Sequence, residues 1–345
     1  MTDTTEMTGR TPRLRHIVIG LAGALVVGVA VVVAIGRVAG FTDVRHVLDG
    51  ADPAWLTCCL VGQVVVFAGY AGALRRSIEF DGGVAIPIWA SLRLVLAGFA
   101  ATQVFAFAGV GGLAINFWVL RRVGLSREAA AIRLIALSTS VYLVFAVIGW
   151  VAAALAGFAG AAPAGVTVPW LVGVPAIVLA GRWFTAPRRV AHWTTARSEG
   201  LLPRALATGV AATYRVRRSL QTADGRRVFG WAAVYWVGDI LSLWAALRAF
   251  GAQPGITVVC VAYTTGYLVQ SLPIPLIATG GMDAATTFLL HLLGVPLETA
   301  LVAVVAHRLF AFWLPVVPGS ICALTAPRIV RAIPVAASFD RAGLD

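Results

Sequence analysis

Three long stretches of this chain contain no charged residue. They cover residues 94–120, 134–181 and 249–282. A helix that crosses a bilayer needs about 20 consecutive apolar residues, so each stretch is long enough to lie in a membrane. Over the whole chain 59% of the residues are hydrophobic and 12% are charged, whereas about 25% are charged in a typical soluble protein. We therefore expect an all-α polytopic transmembrane helical bundle, which disfavours a water-soluble enzyme, a nucleic-acid-binding domain and a disordered chain.

Hydropathy predicts about six full membrane spans. The first of them is longer than the apolar core of a signal peptide, which is about 7–15 residues, and is expected to be a retained anchor. Gly157, Gly160 and Pro163 predict a turn between the third and fourth spans. The predicted spans are 16–36, 54–74, 130–156, 166–181, 228–250 and 298–325.

The positions of the 27 basic residues, which are all Arg, predict the orientation. Twenty-one of them lie on one side of the predicted spans, and ten of these fall in 182–227. Because basic loops face the cytoplasm, both termini are predicted to be cytoplasmic. Segment 84–120 then begins and ends inside, and segment 255–293 begins and ends outside. Both contain Gly and Pro interruptions, so we expect two re-entrant helical hairpins, with paired full crossings as the alternative.

The whole chain, residues 1–345, is predicted to be a single membrane domain. Its predicted parts are a cytoplasmic tail 1–15, a first half 16–181, a basic cytoplasmic segment 182–227, a second half 228–326 and a tail 327–345.

The two interrupted segments share a pattern that predicts an inverted repeat. The shared positions are Gln103, Gly111-Gly112, Gly124, Glu128 and Arg133 in the first, and Gln270, Gly280-Gly281, Gly294, Glu298 and Arg308 in the second. The interval from the single Gly to the Glu is four residues in both, and the copies lie about 170 residues apart. Each copy ends in a long helix, which is predicted to start from the cytoplasmic face in the first copy and from the outer face in the second. Paired interruptions of this kind mark the binding site of many transporters, although chance is the alternative in a chain this rich in Gly.

Four charged residues are predicted to lie at membrane depth, namely Arg133, Asp239, Asp283 and Arg308. Placing a charge at the centre of the bilayer costs about 2.5–3.5 kcal/mol. These residues either form internal ion pairs or line a polar groove in which Arg meets the phosphate of a lipid headgroup. Gln103 and Gln270 could instead bind backbone carbonyls that the nearby breaks leave free. Glu128 and Glu298 are expected to cap the helices that they begin. Trp170 is expected to anchor its helix at the membrane interface. The candidate groove residues are Arg308, Asp283, Asp239, Arg133, Gln270, Gln103, Gly280, Gly281, Gly111, Gly112, Pro273 and Pro275.

The basic segment is predicted to contain an amphipathic surface helix at 201–221. Anionic phospholipid headgroups are its natural partner, with orientation of the chain alone as the alternative role. No motif supports binding of nucleic acid. The four Cys and five His show no metal-ligand spacing, so neither a metal nor another cofactor is expected. The candidate lipid-binding residues of this helix are Arg204, Arg215, Arg217 and Arg218.

Short motifs in the second half resemble a known family. They read Gln270-Ser-Leu-Pro-Ile-Pro, Gly280-Gly-Met-Asp283-Ala-Ala, Ala306-His-Arg308-Leu and Phe312-Trp-Leu-Pro, and Trp118-Val-Leu-Arg-Arg-Val-Gly124 is a first-half match. This pattern resembles the integral-membrane family of the lysylphosphatidylglycerol synthase transmembrane region, the flippase-like domain. The resemblance implies a bacterial inner-membrane module, some members of which move aminoacylated phospholipid between leaflets.

This chain departs from the family pattern at two positions. It has Thr279 where many members have Pro and Thr286 where they have Glu, with Asp283 as the nearby acidic residue. The resemblance also implies that full-length synthases carry a soluble catalytic domain after the membrane part. Few residues follow Pro327 here, so aminoacyl-tRNA-dependent lipid synthesis is not expected.

The sequence leaves three functions open. The leading one is a translocase or binding transporter for a phospholipid or lipid-linked substrate. The second is a membrane-embedded transferase with Asp239 or Asp283 as general base, although no catalytic motif is present. The third is a scaffold for a separate synthase, and a homo-oligomer is also possible.

Overall fold

The computed structural model describes residues 47–80, 85–104, 110–186, 201–270 and 275–331. Within these ranges the chain forms helices and turns and no β-strand, which confirms the all-α fold class. The predicted first span 16–36 lies outside the described residues, as do both chain ends.

Eleven α-helices and one π-helix make up the described part of the chain. In chain order they are α1 (Pro53–Glu79), α2 (Ile88–Val104), α3 (Val110–Arg122), α4 (Arg127–Phe158), α5 (Ala164–Phe184), α6 (Leu201–Gln221), α7 (Ala223–Ala249), α8 (Ile256–Gln270), α9 (Pro275–Leu292), α10 (Leu297–Arg308), the π-helix (Leu309–Trp313) and α11 (Leu314–Arg331).

Five described helical units are long and apolar enough to cross a membrane. They are α1, α4, α5, α7 and the continuous rod from α10 through the π-helix into α11. Each matches one of the predicted spans. Helix α7 begins five residues earlier than predicted because the Thr222 hydroxyl accepts a hydrogen bond from Gly225 N–H at 3.1 Å and caps the helix there.

The two interrupted segments each form a pair of short helices in close contact. In the α2–α3 pair, Gly112 N–H donates to Thr102 Oγ1 at 2.9 Å, and a Cβ on Gly112 would lie 2.9 Å from the Gly98 carbonyl oxygen. In the α8–α9 pair, a Cβ on Gly266 would lie 2.2 Å from Thr286 Oγ1. Glycine thus brings the two helices of each pair nearly into backbone contact. Such pairs fit both re-entrant hairpins and paired crossings.

The packing of the helices confirms the predicted repeat. Helices α1 and α4 begin at residues 53 and 127, and α7 and α10 begin at residues 223 and 297, which is an offset of 170 in both cases. In the first half α2 packs against α3 and also against α11. In the second half α8 packs in the same way against α9 and against α4. The short helix pair of each half therefore packs against the helix that ends the repeat in the other half, which is α11 for the first pair and α4 for the second.

Contacts between α1 and α7 show that the repeat is inverted. Asp52 N–H, at the start of α1, donates to the carbonyl of Ala249, at the end of α7, at 2.8 Å. Farther along the same pair, Gly69 lies against the backbone of Tyr235. The two helices are therefore antiparallel. Because they are equivalent members of the two halves, the halves have opposite orientations.

The turns before α4 and α10 repeat the same backbone geometry. Gly124 and Gly294 adopt φ values of 103° and 95°, a conformation that favours glycine. In each turn the residue after the glycine donates to the carbonyl four residues before the glycine, at 3.1 and 3.0 Å. Glu128 and Glu298 then occupy the first turn of the following helix, as predicted for capping positions.

Helices α5 and α6 lie outside the repeat. Helix α5 packs against α4, and α6 packs against α4 and α7. The bounds of α6 coincide with the predicted amphipathic helix. Trp170, which the sequence predicts as an anchor at the membrane interface, packs inside the bundle. Its side chain is buried, and its indole N–H donates to Thr265 Oγ1 at 3.0 Å, because α5 packs this face against the bundle.

Candidate functional site

A buried polar cluster lies where the two halves meet. At its centre is Asp239 of α7, whose Oδ1 accepts hydrogen bonds from Gln63 Nε2 at 2.8 Å and from His307 Nε2 at 3.0 Å. The Tyr263 hydroxyl donates to the other carboxylate oxygen. These four residues, with Ser242, are named the Asp239 cluster. They come from α1, α7, α8 and α10, so the site depends on the packing of both halves.

The hydrogen bonds of Gln63 fix the tautomer of His307. Its amide nitrogen donates to Asp239 and also to Ser242 Oγ, at 2.9 Å, and the Ser242 hydroxyl donates in turn to the Cys59 carbonyl at 2.8 Å. Both amide hydrogens are then used. The 3.1 Å contact between the nitrogens of Gln63 and His307 is consequently not a hydrogen bond. When Asp239 is ionised, His307 must therefore carry a proton on Nε2 to bind it.

Small residues allow α1 and α7 to approach closely enough to form this cluster. A Cβ on Gly62 would lie 2.8 Å from Ser242 Cβ, and one on Gly238 would lie 3.2 Å from a Val65 methyl group. Such close crossings are typical of helices in membranes. They place Gln63 within direct reach of Asp239 across the interface.

A second charged group lies beside the cluster and is more open. Arg308 Nε lies 3.3 Å from Asp283 Oδ2, and the two side chains are 24% and 22% exposed. The guanidinium also lies over the ring of Phe312, at 4.6 Å from its centroid. Asp283 and Arg308 thus form an ion pair between α9 and α10, which is the first of the two roles considered for them. Its partial exposure also keeps the second role open.

The π-helix marks the place where the second half departs from the first. It begins at Leu309, directly after His307 and Arg308, whereas the equivalent α4 runs as an uninterrupted α-helix. A π-turn inserts an extra residue into a helix and is frequent at functional sites. The symmetry of the fold is therefore broken at the position of the charged groups.

Arg133 lies away from these groups. Its Nη1 donates to the carbonyl of Ile78 and to that of Phe80, both at 2.9 Å. Arg215 of α6 also donates to the Phe80 carbonyl, at 2.8 Å. These carbonyls end helix α1, where the helix dipole favours a positive charge. Arg133 therefore joins α4 to the end of α1, and Arg215 joins α6 there. The structure does not bring Arg133 together with Asp239, Asp283 or Arg308.

The other predicted groove residues occupy the short helix pairs. Gly111 and Gly112 lie in α3, and Gly280 and Gly281 lie in α9. Pro275 begins α9. Gln103 and Gln270 lie at the ends of α2 and α8, and their side chains are outside the described part of the structure, as is the whole of Pro273.

Two of the four predicted lipid-binding arginines donate hydrogen bonds to backbone carbonyls of the protein. Arg215 binds Phe80, as above, and Arg217 Nη1 donates to the Thr185 carbonyl at 3.2 Å. Arg218 also makes a contact within the protein. The side chain of Arg204 lies outside the described residues. Helix α6 is therefore fastened to the bundle through arginines that the sequence assigns to its lipid-facing side.

Four members of the Asp239 cluster were not predicted, namely Gln63, Ser242, Tyr263 and His307. Gln63 is the only charged or amide side chain in the apolar run 54–74, and His307 is adjacent to Arg308. These signals could have identified both residues. Tyr263 has no comparable signal, because an aromatic residue in an apolar helix most often fills the core.

The comparison with protein families agrees with this architecture. The sequence profile of the family described as lysylphosphatidylglycerol synthase TM region matches residues 20–319, which include every described helix from α1 to α10, the π-helix and the start of α11. No curated protein matches the chain significantly. The matched region is the membrane module, and it indicates a membrane protein related to lipid handling. With most of its length matched, this chain belongs to the lysylphosphatidylglycerol synthase TM region family.

Proposed function

We propose that this protein moves a phospholipid or a lipid-linked substrate between the leaflets of a bacterial inner membrane. The single observation that carries the proposal is the Asp283–Arg308 ion pair. It joins α9 to α10, whose helical rod is long and apolar enough to cross a membrane, yet about a quarter of each side chain is exposed. Charged groups at membrane depth are costly and typically mark a substrate path.

The chemistry of Arg308 suits a lipid headgroup. A guanidinium presents several N–H donors in one plane, and this geometry matches the oxygens of a phosphate. The ring of Phe312 supports one face of the guanidinium, which fixes its orientation. A phosphate that binds Arg308 takes over the role of the Asp283 carboxylate. The charge of the headgroup phosphate is then paired with Arg308 while it crosses the apolar region.

The inverted repeat supports a movement that exposes this pair to either side in turn. In transporters with inverted repeats, the two halves exchange equivalent arrangements around a central site. Here the antiparallel α1–α7 pair lies between the halves. Rocking about this pair would open the Asp283–Arg308 pair alternately toward each leaflet.

The test is lipid translocation by the purified chain in proteoliposomes. Fluorescent phospholipids are followed by quenching of the outer leaflet. Arg308→Gln removes charge-assisted hydrogen bonds worth about 1.5–3 kcal/mol, so we expect the rate to fall about tenfold or more. Arg308→Lys keeps the charge and loses the planar geometry, so we expect its translocation rate to lie between that of the wild type and that of Arg308→Gln.

The matched control is Arg227→Gln. Arg227 forms an exposed ion pair with Asp224 at 2.8 Å and is 57% exposed, so its loss should leave the rate unchanged. A wild-type rate in Arg308→Gln would contradict the proposed site. A wild-type chain that moves no phospholipid or lipid-linked probe would contradict the function.

A membrane-embedded transferase is the second candidate, and the Asp239–His307 contact favours it. A carboxylate that orients an imidazole at 3.0 Å is a common arrangement for a general base. Lipid analysis of each leaflet in a deletion strain separates the two functions. A modified lipid that is absent supports the transferase, whereas a lipid that is made but confined to the inner leaflet supports the translocase.

A further inference from the structure

We infer that Asp239 and His307 form a proton-binding site within the membrane domain, whose ligand is one exchangeable proton. The proposed lipid movement does not require such a site, and the site does not depend on it. Only the use of the site, as a step that couples proton movement to lipid movement, rests on the proposed function.

The position of Asp239 supports this inference first. It lies well inside α7, which is long and apolar enough to span a membrane, and its side chain is buried. The imidazole of His307, also buried, is 3.0 Å away. An acid and a base at membrane depth and in direct contact are typical of proton pathways.

The helices packed around the pair carry few other groups that could change its charge. The titratable or charged residues around the pair include Cys59 and Tyr70 on α1, Tyr142 on α4, Tyr235 on α7, Tyr263 and Tyr267 on α8, Asp283 on α9 and Arg308 at the end of α10. The tyrosines and the cysteine are neutral at ordinary pH. Asp283 and Arg308 neutralise each other. The charge of the site is therefore set by Asp239 and His307.

Proton counting shows why the pair acts as one site. With one shared proton the pair is either Asp⁻ and HisH⁺ or AspH and neutral His, and both forms have no net charge. Removal of that proton leaves one negative charge inside the bundle, which is costly unless the surroundings change. The proton belongs to the pair, because the carboxylate and the imidazole are in direct contact.

Gln63 links the protonation state to the contact between the halves. It donates from α1 to the Asp239 carboxylate. If Asp239 binds a proton, the amide can rotate by 180° and its oxygen can accept from the new O–H. The hydrogen bond that Gln63 donates to Ser242 across the α1–α7 interface must then change as well. Proton binding thus alters the interface about which the halves are proposed to move.

The test is infrared titration of the full chain in lipid nanodiscs. The C=O stretch of a protonated carboxyl is followed against pH, in water and in deuterated water. We expect one such band from a shielded carboxyl, lost in Asp239→Asn and retained in Asp283→Asn. The matched control is Asp224→Asn, the same substitution at a 74% exposed position of the same helix.

A second variant keeps the test decisive if Asp239→Asn does not fold. His307→Gln preserves the carboxyl, and loss of the imidazole should move the midpoint of the band by about one pH unit or more. The inference is overturned if the wild type has no titrating band, if the band survives in Asp239→Asn, or if the midpoint is unchanged in His307→Gln. Since this measurement needs no lipid movement, a chain that shows the band and moves no lipid refutes the proposed function alone.

Discussion

Replacing Gly69 by alanine tests the contact that holds the two halves together. A Cβ at this position would lie 2.6 Å from the backbone nitrogen of Tyr235 and 2.9 Å from its Cα. Both atoms belong to the backbone of α7, so no side-chain rotation relieves the clash. Helices α1 and α7 must separate, and the polar bonds of the Asp239 cluster must lengthen with them.

The expected loss follows from two opposing contributions. Overpacking of a closely packed contact costs about 1–3 kcal/mol, and a clash with backbone belongs at the upper end of that range. Alanine regains up to about 1 kcal/mol over glycine through its higher helix propensity. We therefore expect Gly69→Ala to lower the free energy of unfolding by about 1–2 kcal/mol.

Gly230→Ala, in the partner helix α7, is the matched control. A Cβ on Gly230 meets no atom within 4 Å, so only the gain in helix propensity applies and the variant should be as stable as the wild type or slightly more stable. The measurement is equilibrium unfolding in mixed detergent micelles, followed by tryptophan fluorescence. If Gly69→Ala is as stable as Gly230→Ala, the close approach of α1 and α7 is refuted.

Two further predictions concern the frame around the site. Arg133→Met removes the donor from two carbonyls at the end of α1, which should cost about 1–3 kcal/mol in the same unfolding assay, whereas the exposed Arg127→Met should change little; equal effects would refute this role. The second uses Arg122→Cys and Leu292→Cys, which occupy equivalent positions of the two halves and are made in a cysteine-free background. From the predicted orientation we expect an impermeant maleimide to label the cysteine at 122 only from inside and the one at 292 only from outside. Labelling of both cysteines from the same side would refute the predicted orientation.

Most of the helical frame was predictable because its signals are local. Long apolar runs predict spans by their length, and the five described spans overlap the predicted ones closely. The turn glycines and the acidic residues after them repeat at a fixed offset, so the inverted repeat was also visible in the sequence. The amphipathic pattern of 201–221 likewise depends only on neighbouring residues.

The partners of the polar side chains were not predictable, because they come from distant parts of the chain. Gln63 and Asp239 are separated by 176 positions and meet only where α1 crosses α7. Arg133 has the same sequence signal as Arg308, an arginine in an apolar run. Yet one binds the end of a helix and the other an aspartate. Which helix end or carboxylate each arginine meets depends on the packing of the whole bundle.

The symmetric frame and the asymmetric site have different consequences for mechanism. At the offset of 170, Gly69 is the equivalent of Asp239 and Leu137 is the equivalent of His307, so the first half has neither group. The proposed movement would exchange two equivalent arrangements of the helices. The Asp239–His307 pair, in contrast, occurs once and stays on the second half in both arrangements. A movement of the halves therefore changes the surroundings of one fixed pair. That pair is neutral only while it holds its exchangeable proton. Each arrangement must therefore keep the pair shielded from water with the proton bound, or compensate the negative charge that proton release leaves. This requirement can connect proton release to a single one of the two arrangements.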